Sequence, residues 1–139
     1  MRLVVDTNVV IAGMLWDGRP RRLLETAVEG TIRLATSATM IEELARALAY
    51  PKLARRLSER GVSARAVVAR YALIADLFAP ASIPATVPSD PDDDHVLACA
   101  LGAGADLIVS GDADLLNLKS FQGIPIVTAA ESLRRLPQR

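Results

Sequence analysis

Leu3-Val4-Val5 is an apolar run that leads into one carboxylate, Asp6, and resumes at Val9-Val10-Ile11 after Thr7-Asn8. A Val-rich run bounded by polar residues predicts a strand buried on both faces. It ends at Asp6, with a short apolar helix following to Leu15. Trp16-Asp17-Gly18-Arg19-Pro20 reads as a loop from its Gly and Pro. Residues 20–29 predict a helix with Pro in the first turn and Gly30 just past the end. Residues 31–36 predict a short strand, and 38–49 a second helix, started by Ser37 or by a Thr39…Glu42 capping box. Beyond Pro51, residues 52–60 and 63–77 predict a helical pair around Gly61; Val67, Tyr71, Ile74 and Phe78 recur at helical spacing. Prolines at 80, 84, 88 and 91 mark residues 79–91 as loop, with a short strand around Leu77–Ala79. Ser89-Asp90-Pro91-Asp92-Asp93-Asp94 opens an Ala-rich helix to about Gly102. Asp106-Leu107-Ile108-Val109-Ser110 predicts another buried strand, ending at Gly111-Asp112. A short helix, a strand at 124–127 and a last helix from Thr128 to about Leu136 complete the chain.

Strands alternating with helices imply parallel pairing through right-handed crossovers. The predicted fold is α/β, a three-layer doubly wound parallel sheet, as one domain over residues 1–139. Such sheets bind ligands beyond the carboxyl ends of their strands, where the strand order reverses. Asp6 and Asp112 sit at two such ends.

Composition narrows the chemistry. Apolar residues make up 51% of the 139, enough for a real core, but aromatics only 4%, so Ala, Val, Leu and Ile must fill it. Lys plus Arg and Asp plus Glu are 16 each, so net charge does not decide for or against a nucleic-acid partner. With one cysteine, Cys99, no internal disulfide or cysteine zinc site forms, and with one histidine, His95, a histidine-based metal site is disfavoured. His95 reads as a helix-surface residue and Cys99 as a small core residue. Only about four apolar residues precede Asp6, and no run approaches the roughly 18 residues of a membrane span. A soluble cytoplasmic protein is expected.

Carboxylates occur in four places, each with a bland reading. Asp6 suits a helix N-cap. On the helix over 38–49, Glu42 falls opposite the apolar face set by Met40, Ile41, Leu44, Ala47 and Leu48, whereas Glu43 falls on its shoulder and can lean over the sheet edge. Asp90-Pro91-Asp92-Asp93 reads as N-cap through N3, where acids complement the helix dipole without further function. Asp94 lies one residue deeper, beside a packing face set by Val96, Leu97, Ala100 and Leu101, and is the acid of this run assigned a site role ahead of Asp92 and Asp93. Asp112 suits a tight turn after Gly111, and Asp114 the start of the next helix. Gathered about 5 Å apart, carboxylates repel by roughly 3 kcal/mol per pair at an effective dielectric of 20. Protons or a cation must then fill the cluster. With oxygen ligands alone, the matching ion is Mg²⁺ or Mn²⁺, and the implied chemistry is metal-assisted phosphodiester hydrolysis.

Val5-Asp6-Thr7-Asn8, Glu43-Leu44, Asp90 through Ala98 and Val109-Ser110-Gly111-Asp112-Ala113-Asp114-Leu115-Leu116 form an ordered set that resembles the PIN-domain nucleases, and within them the VapC-type toxins. The resemblance spans about Leu3 to Leu133. It implies a sheet ordered 3-2-1-4-5, a Mg²⁺ or Mn²⁺ site, single-stranded RNA as substrate, a homodimer and a neighbouring antitoxin protein. By matched position it implies Asp6, Glu43, Asp94 and Asp112 as the acidic quartet, with Asp6, Asp94 and Asp112 on the metal. Asn8, Ser110 and Asp114 support them, and Glu42 stays an alternative to Glu43. The implied reaction is in-line attack of metal-bound water on a backbone phosphate, leaving a 5′-phosphate.

Arg19, Arg21 and Arg22, and the group Arg46, Lys52, Arg55, Arg56 and Arg60, could neutralise phosphates; of these Arg19, Arg22, Arg46 and Lys52 are the candidate RNA contacts. Trp16 could stack a base or plug a dimer interface. Two other readings compete. One is a binding module whose acidic pocket accepts an antitoxin arginine and rarely cuts RNA. The other is a phosphatase with Asp6 as nucleophile, like the haloacid dehalogenase class, although Asn8 stands where that class needs an acid–base aspartate.

Overall fold

The structure, a computed structural model, describes residues 1–137; the last two positions of the expected 1–139 domain lie outside them. Strand β1 (Arg2–Val5) is central, and Leu3, Val4 and Val5 are each 0% exposed, as an uninterrupted apolar run requires. It pairs in parallel with β2 (Arg33–Thr36) on one side and β4 (Leu107–Val109) on the other, Leu3 facing both Leu34 and Leu107. β3 (Ala75–Leu77) adds in parallel outside β2, and β6 (Ile124–Val127) outside β4. These five parallel strands have the expected 3-2-1-4-5 arrangement. A sixth strand, β5 (Ser120–Phe121), joins β6 antiparallel, so the full order is β3-β2-β1-β4-β6-β5. Periodicity cannot register a two-residue strand. Its turn is Gln122-Gly123, both at positive φ (46° and 83°), the backbone of a type I′ hairpin without the usual Asn-Gly signature.

Alternate residues of each strand enter opposite cores. Leu3, Val5, Leu34, Leu107 and Val109 pack with residues of α1 (Thr7–Leu15), α2 (Arg19–Val28), α3 (Ala38–Leu48), α4 (Pro51–Arg60) and α5 (Ala64–Ile74). Val4, Ala35 and Ile108 pack instead against α6 (Pro91–Ala103), through Val96, Leu97, Ala100 and Ala103. Leu115 of α7 (Ala113–Leu116) joins this second core, and α8 (Ala129–Arg135) returns to the first. The result is the three-layer α/β architecture. No helix among the described residues is long and apolar enough to cross a membrane.

Three local features differ from the sequence reading or choose between its alternatives. The helix expected over 63–77 stops at Ile74, because residues 75–77 pair with the open edge of β2, two residues ahead of the expected strand. Phe78, which continues the Val67-Tyr71-Ile74 spacing, therefore packs in the other core from Val67 and Tyr71. α3 is capped by Ser37, whose Oγ accepts the Met40 N–H at 3.3 Å, not by the Thr39…Glu42 box. The proline-rich loop of residues 79–90 lies against α6: the Ala81 N–H donates to the Ala98 carbonyl, and a Cβ at Gly102 would meet the Ala79 carbonyl oxygen at 2.2 Å.

Candidate metal centre

β1 and β4 end side by side, with the Asp6 N–H on the Val109 carbonyl at 2.8 Å. The residues that follow them therefore share the carboxyl edge of the sheet, at the point where strand order reverses. Asp6 stands at the N-cap of α1, yet its side chain makes no capping bond. It is buried instead, and its Oδ2 accepts from Ser110 Oγ at 2.8 Å. Ser110 Oγ in turn accepts the Asp112 N–H at 2.9 Å, which fixes the turn through Gly111. Asp112 Oδ1 accepts the Asp114 N–H at 2.9 Å and caps α7.

The start of α6 supplies the third acid. Asp90 is its N-cap, accepting the Asp92 N–H at 3.1 Å, and Pro91 occupies the first position. This geometry turns Asp93 inward, 3% exposed. Oxygen atoms of Asp6, Asp93 and Asp112 all lie within 4.8 Å of one another. Glu43 reaches the same cavity from α3, 7% exposed, with Oε1 on His95 Nδ1 and Oε2 3.5 Å from Thr7 Oγ1. The cavity holds about 140 Å³, and Asn8, Arg46, Tyr50, Asp90 and Asp92 also line it.

Asp94 is not with these acids, contrary to its expected place. Its Oδ1 accepts the Val87 N–H at 2.9 Å, and both its oxygens lie 3.2 Å from the Thr86 nitrogen, so it ties the 79–90 loop to α6. It lines a different cavity of about 310 Å³, shared with Ser37, Pro80 and Ile83. The expected packing face included Leu101, which is only half-buried; the face that does pack runs through Val96, Leu97, Ala100 and Ala103. Asp93 stands three residues before Val96 and four before Leu97, and this i, i+3, i+4 spacing was the signal that identifies it. One residue, about 100° of helix, separates the two choices.

The other candidates divide in the same way. Glu42 is exposed on the outer face of α3 while Glu43 is buried. Asp114 turns away, accepting from Ser89 Oγ at 3.0 Å. His95 is partly exposed, as a surface residue should be, but it also holds Glu43 and lies 3.6 Å from Asp92. Arg46 lines the acidic cavity. Lys52 sits apart with Trp16, over whose ring Arg56 stacks at 5.5 Å. Arg19 and Arg22 line a separate hollow beside α8, with Arg134.

The electrostatics reflect burial of like charges. Asp93 is pushed up from 3.8 to about 8, first by desolvation, then by its contact with Asp112 and the charges of Asp112, Asp90 and Asp6. Asp6 is raised by burial, with the Ser110 hydrogen bond opposing. Glu43 is raised by burial, against the pull of His95. Asp93 Oδ2 is buried and has no hydrogen-bond partner among the described residues. A buried carboxylate oxygen left unpaired beside two other carboxylates is unfavourable unless a proton or cation joins it. Three oxygen donors with no sulfur or imidazole fit a hard divalent ion such as Mg²⁺ or Mn²⁺.

No curated protein and no solved structure gives a significant match to this chain. A family model described as PIN domain matches residues 2–114, a span that contains β1, Glu43, the opening of α6 and the Ser110-Gly111-Asp112 turn. Family, fold and the edge of the sheet where the acids gather thus agree: the chain belongs to the PIN-domain family.

Proposed function

We propose that this protein is a Mg²⁺- or Mn²⁺-dependent endoribonuclease acting on single-stranded RNA in the cytoplasm, and the toxin of a toxin–antitoxin pair. The observation that carries the nuclease reading is the trio Asp6, Asp93 and Asp112, with the buried Asp93 oxygen unpartnered. These three would hold the cation, with Asp93 and not Asp94 as the acid that α6 contributes. A cation so held neutralises phosphate charge and lowers the pKa of water.

The chain's own residues supply the remainder. Ser110 holds Asp6 by one oxygen and receives the Asp112 N–H, so a single hydroxyl sets the spacing of two ligands. His95 fixes one oxygen of Glu43, leaving the other toward Thr7 and the cavity, where it can take the proton of an attacking water. Asn8 lines the same wall as a neutral polar contact for the substrate. Attack on phosphorus opposite the departing 3′ oxygen leaves a 5′-phosphate.

A homodimer and an antitoxin both need a protein-binding surface. Val28 and Leu73 are 69% and 86% exposed and border one hollow beside Asp76 of the edge strand β3, which supports a second chain docking there. The test of the nuclease reading is cleavage of a mixed RNA with Mg²⁺, with Mn²⁺ and with chelator. Cleavage that needs the metal and disappears in Asp6→Asn and Asp112→Asn supports it; a wild-type chain inert toward RNA with both metals refutes it.

A further inference from the structure

Along α3 and the residue pair that follows it, Glu43, Arg46, Ala47 and Tyr50 recur at i, i+3, i+4 and i+7 and line one wall of the acidic cavity. The wall changes character along its length: carboxylate, guanidinium, small apolar, aromatic. Arg46 is exposed, and although its charge acts on Glu43 across the cavity, it makes no hydrogen bond or salt bridge to Glu43, Asp92 or any other described residue. A guanidinium beside acids that does not fork onto any of them has its five donors free for another anion. Tyr50 is 64% exposed and its hydroxyl has no hydrogen-bond partner among the described residues. It is followed by Pro51 at the start of α4, which fixes the backbone on its far side. At about 1.5 Å of rise per residue, it stands roughly 10 Å along the wall from Glu43.

We propose that Arg46 and Tyr50 form a nucleotide clamp at the mouth of the cavity, Arg46 holding the phosphate next to the one cut and Tyr50 stacking on an adjacent base. This rests on the ribonuclease reading and adds to it the residues that position the strand. The clamp reads no base identity: a phosphate contact carries no sequence, and any base offers a face for stacking. It also explains how an anionic strand approaches a cavity lined by carboxylates. The guanidinium meets it first.

The test is binding of a fluorescent single-stranded RNA by anisotropy, with Ca²⁺ in place of the catalytic ion, alongside Mn²⁺-dependent cleavage and thermal stability. Arg46→Ala should weaken binding at least fivefold and flatten the plot of log affinity against log salt by about 0.7, with Arg46→Lys restoring most of that slope. Tyr50→Ala should weaken binding roughly five- to hundredfold without changing the slope, and Tyr50→Phe should match wild type, because stacking needs the ring and not the hydroxyl. All four should melt with the wild type, since both side chains are exposed. Wild-type affinity in Arg46→Ala and Tyr50→Ala, with cleavage intact, overturns the clamp alone. Equal damage from Tyr50→Phe and Tyr50→Ala overturns the stacking role. Failure of the wild type to cut RNA overturns the clamp together with the nuclease reading.

Discussion

Replacing Asp93 by Asn should make the metal-free protein more stable near neutral pH, an unusual outcome for changing a buried residue. The carboxyl titrates at about 8 in the folded chain against 3.8 as a free group. Between those values the native state keeps a proton that the unfolded state has lost, so stability falls as pH rises. The loss starts near pH 3.8 and is complete above about pH 8. At 1.36 kcal/mol per unit, the full shift gives a limit of about 4 kcal/mol at pH 7. Water in the open cavity screens the buried charge and reduces this to on the order of 2 kcal/mol. For a chain of this length that corresponds to a melting-temperature gain of roughly 6 °C.

The amide removes the charge, so Asp93→Asn escapes the penalty. Urea or thermal denaturation in chelator, repeated from about pH 5 to 8, should show the two proteins converging at the acid end and the variant ahead at the basic end. Mn²⁺ should reverse the order, because it binds the ionised native state of the wild type. A stability difference that does not change with pH, or a variant less stable than wild type in chelator at about pH 8, would refute the argument from buried like charge.

Further outcomes follow from other contacts. Asp6→Asn and Asp112→Asn should each lower metal-dependent RNA cleavage by about 10³-fold, and Ser110→Ala by about tenfold, measured as single-turnover rates on a labelled RNA. Asp94→Ala should cost about 1–3 kcal/mol in urea denaturation by releasing the Thr86 and Val87 N–H groups, while its cleavage rate at low temperature stays near wild type. Gly102→Ala should destabilise by at least about 3 kcal/mol, because the new Cβ would sit 2.2 Å from the Ala79 carbonyl oxygen, a backbone atom; a soluble variant with wild-type melting would contradict that packing.

Much of this molecule is legible in its pattern of apolar residues. β1, β4 and β6 announce themselves as short Val-, Ile- or Leu-rich runs and β2 as a short stretch around Leu34-Ala35, and the acids Asp6 and Asp112 follow two of them. Glu43 is separable from Glu42 because a single α3 face is strongly apolar. α6 resists the same treatment. It is buried on most of its circumference, so Ala98, Cys99 and Ala100 give no clean stripe, and choosing Leu101 over Ala103 moves the inferred face by one residue. That shift is the difference between Asp94 and Asp93. The role of Asp94 was invisible for another reason: its partners are backbone N–H groups of an irregular loop, and no side-chain pattern encodes them. His95 likewise acquires its contact with Glu43 only when α3 and α6 are packed together. β5 is too short for any period to show, and β3 shows only as a short strand placed two residues late.

Of the two neighbouring aspartates, Asp93 lies with Asp6 and Asp112 while Asp94 ties down the 79–90 loop, so ion binding should depend on the first and not the second. Calorimetric titration of Mn²⁺ into wild type, Asp93→Asn and Asp94→Asn near neutral pH, in buffers of different ionisation enthalpy, tests this directly. Asp93→Asn should bind at least about tenfold more weakly than wild type and lose the proton release expected of it, while Asp94→Asn should keep both. Loss of the ion in Asp94→Asn with binding intact in Asp93→Asn would overturn the assignment of Asp93 to the centre.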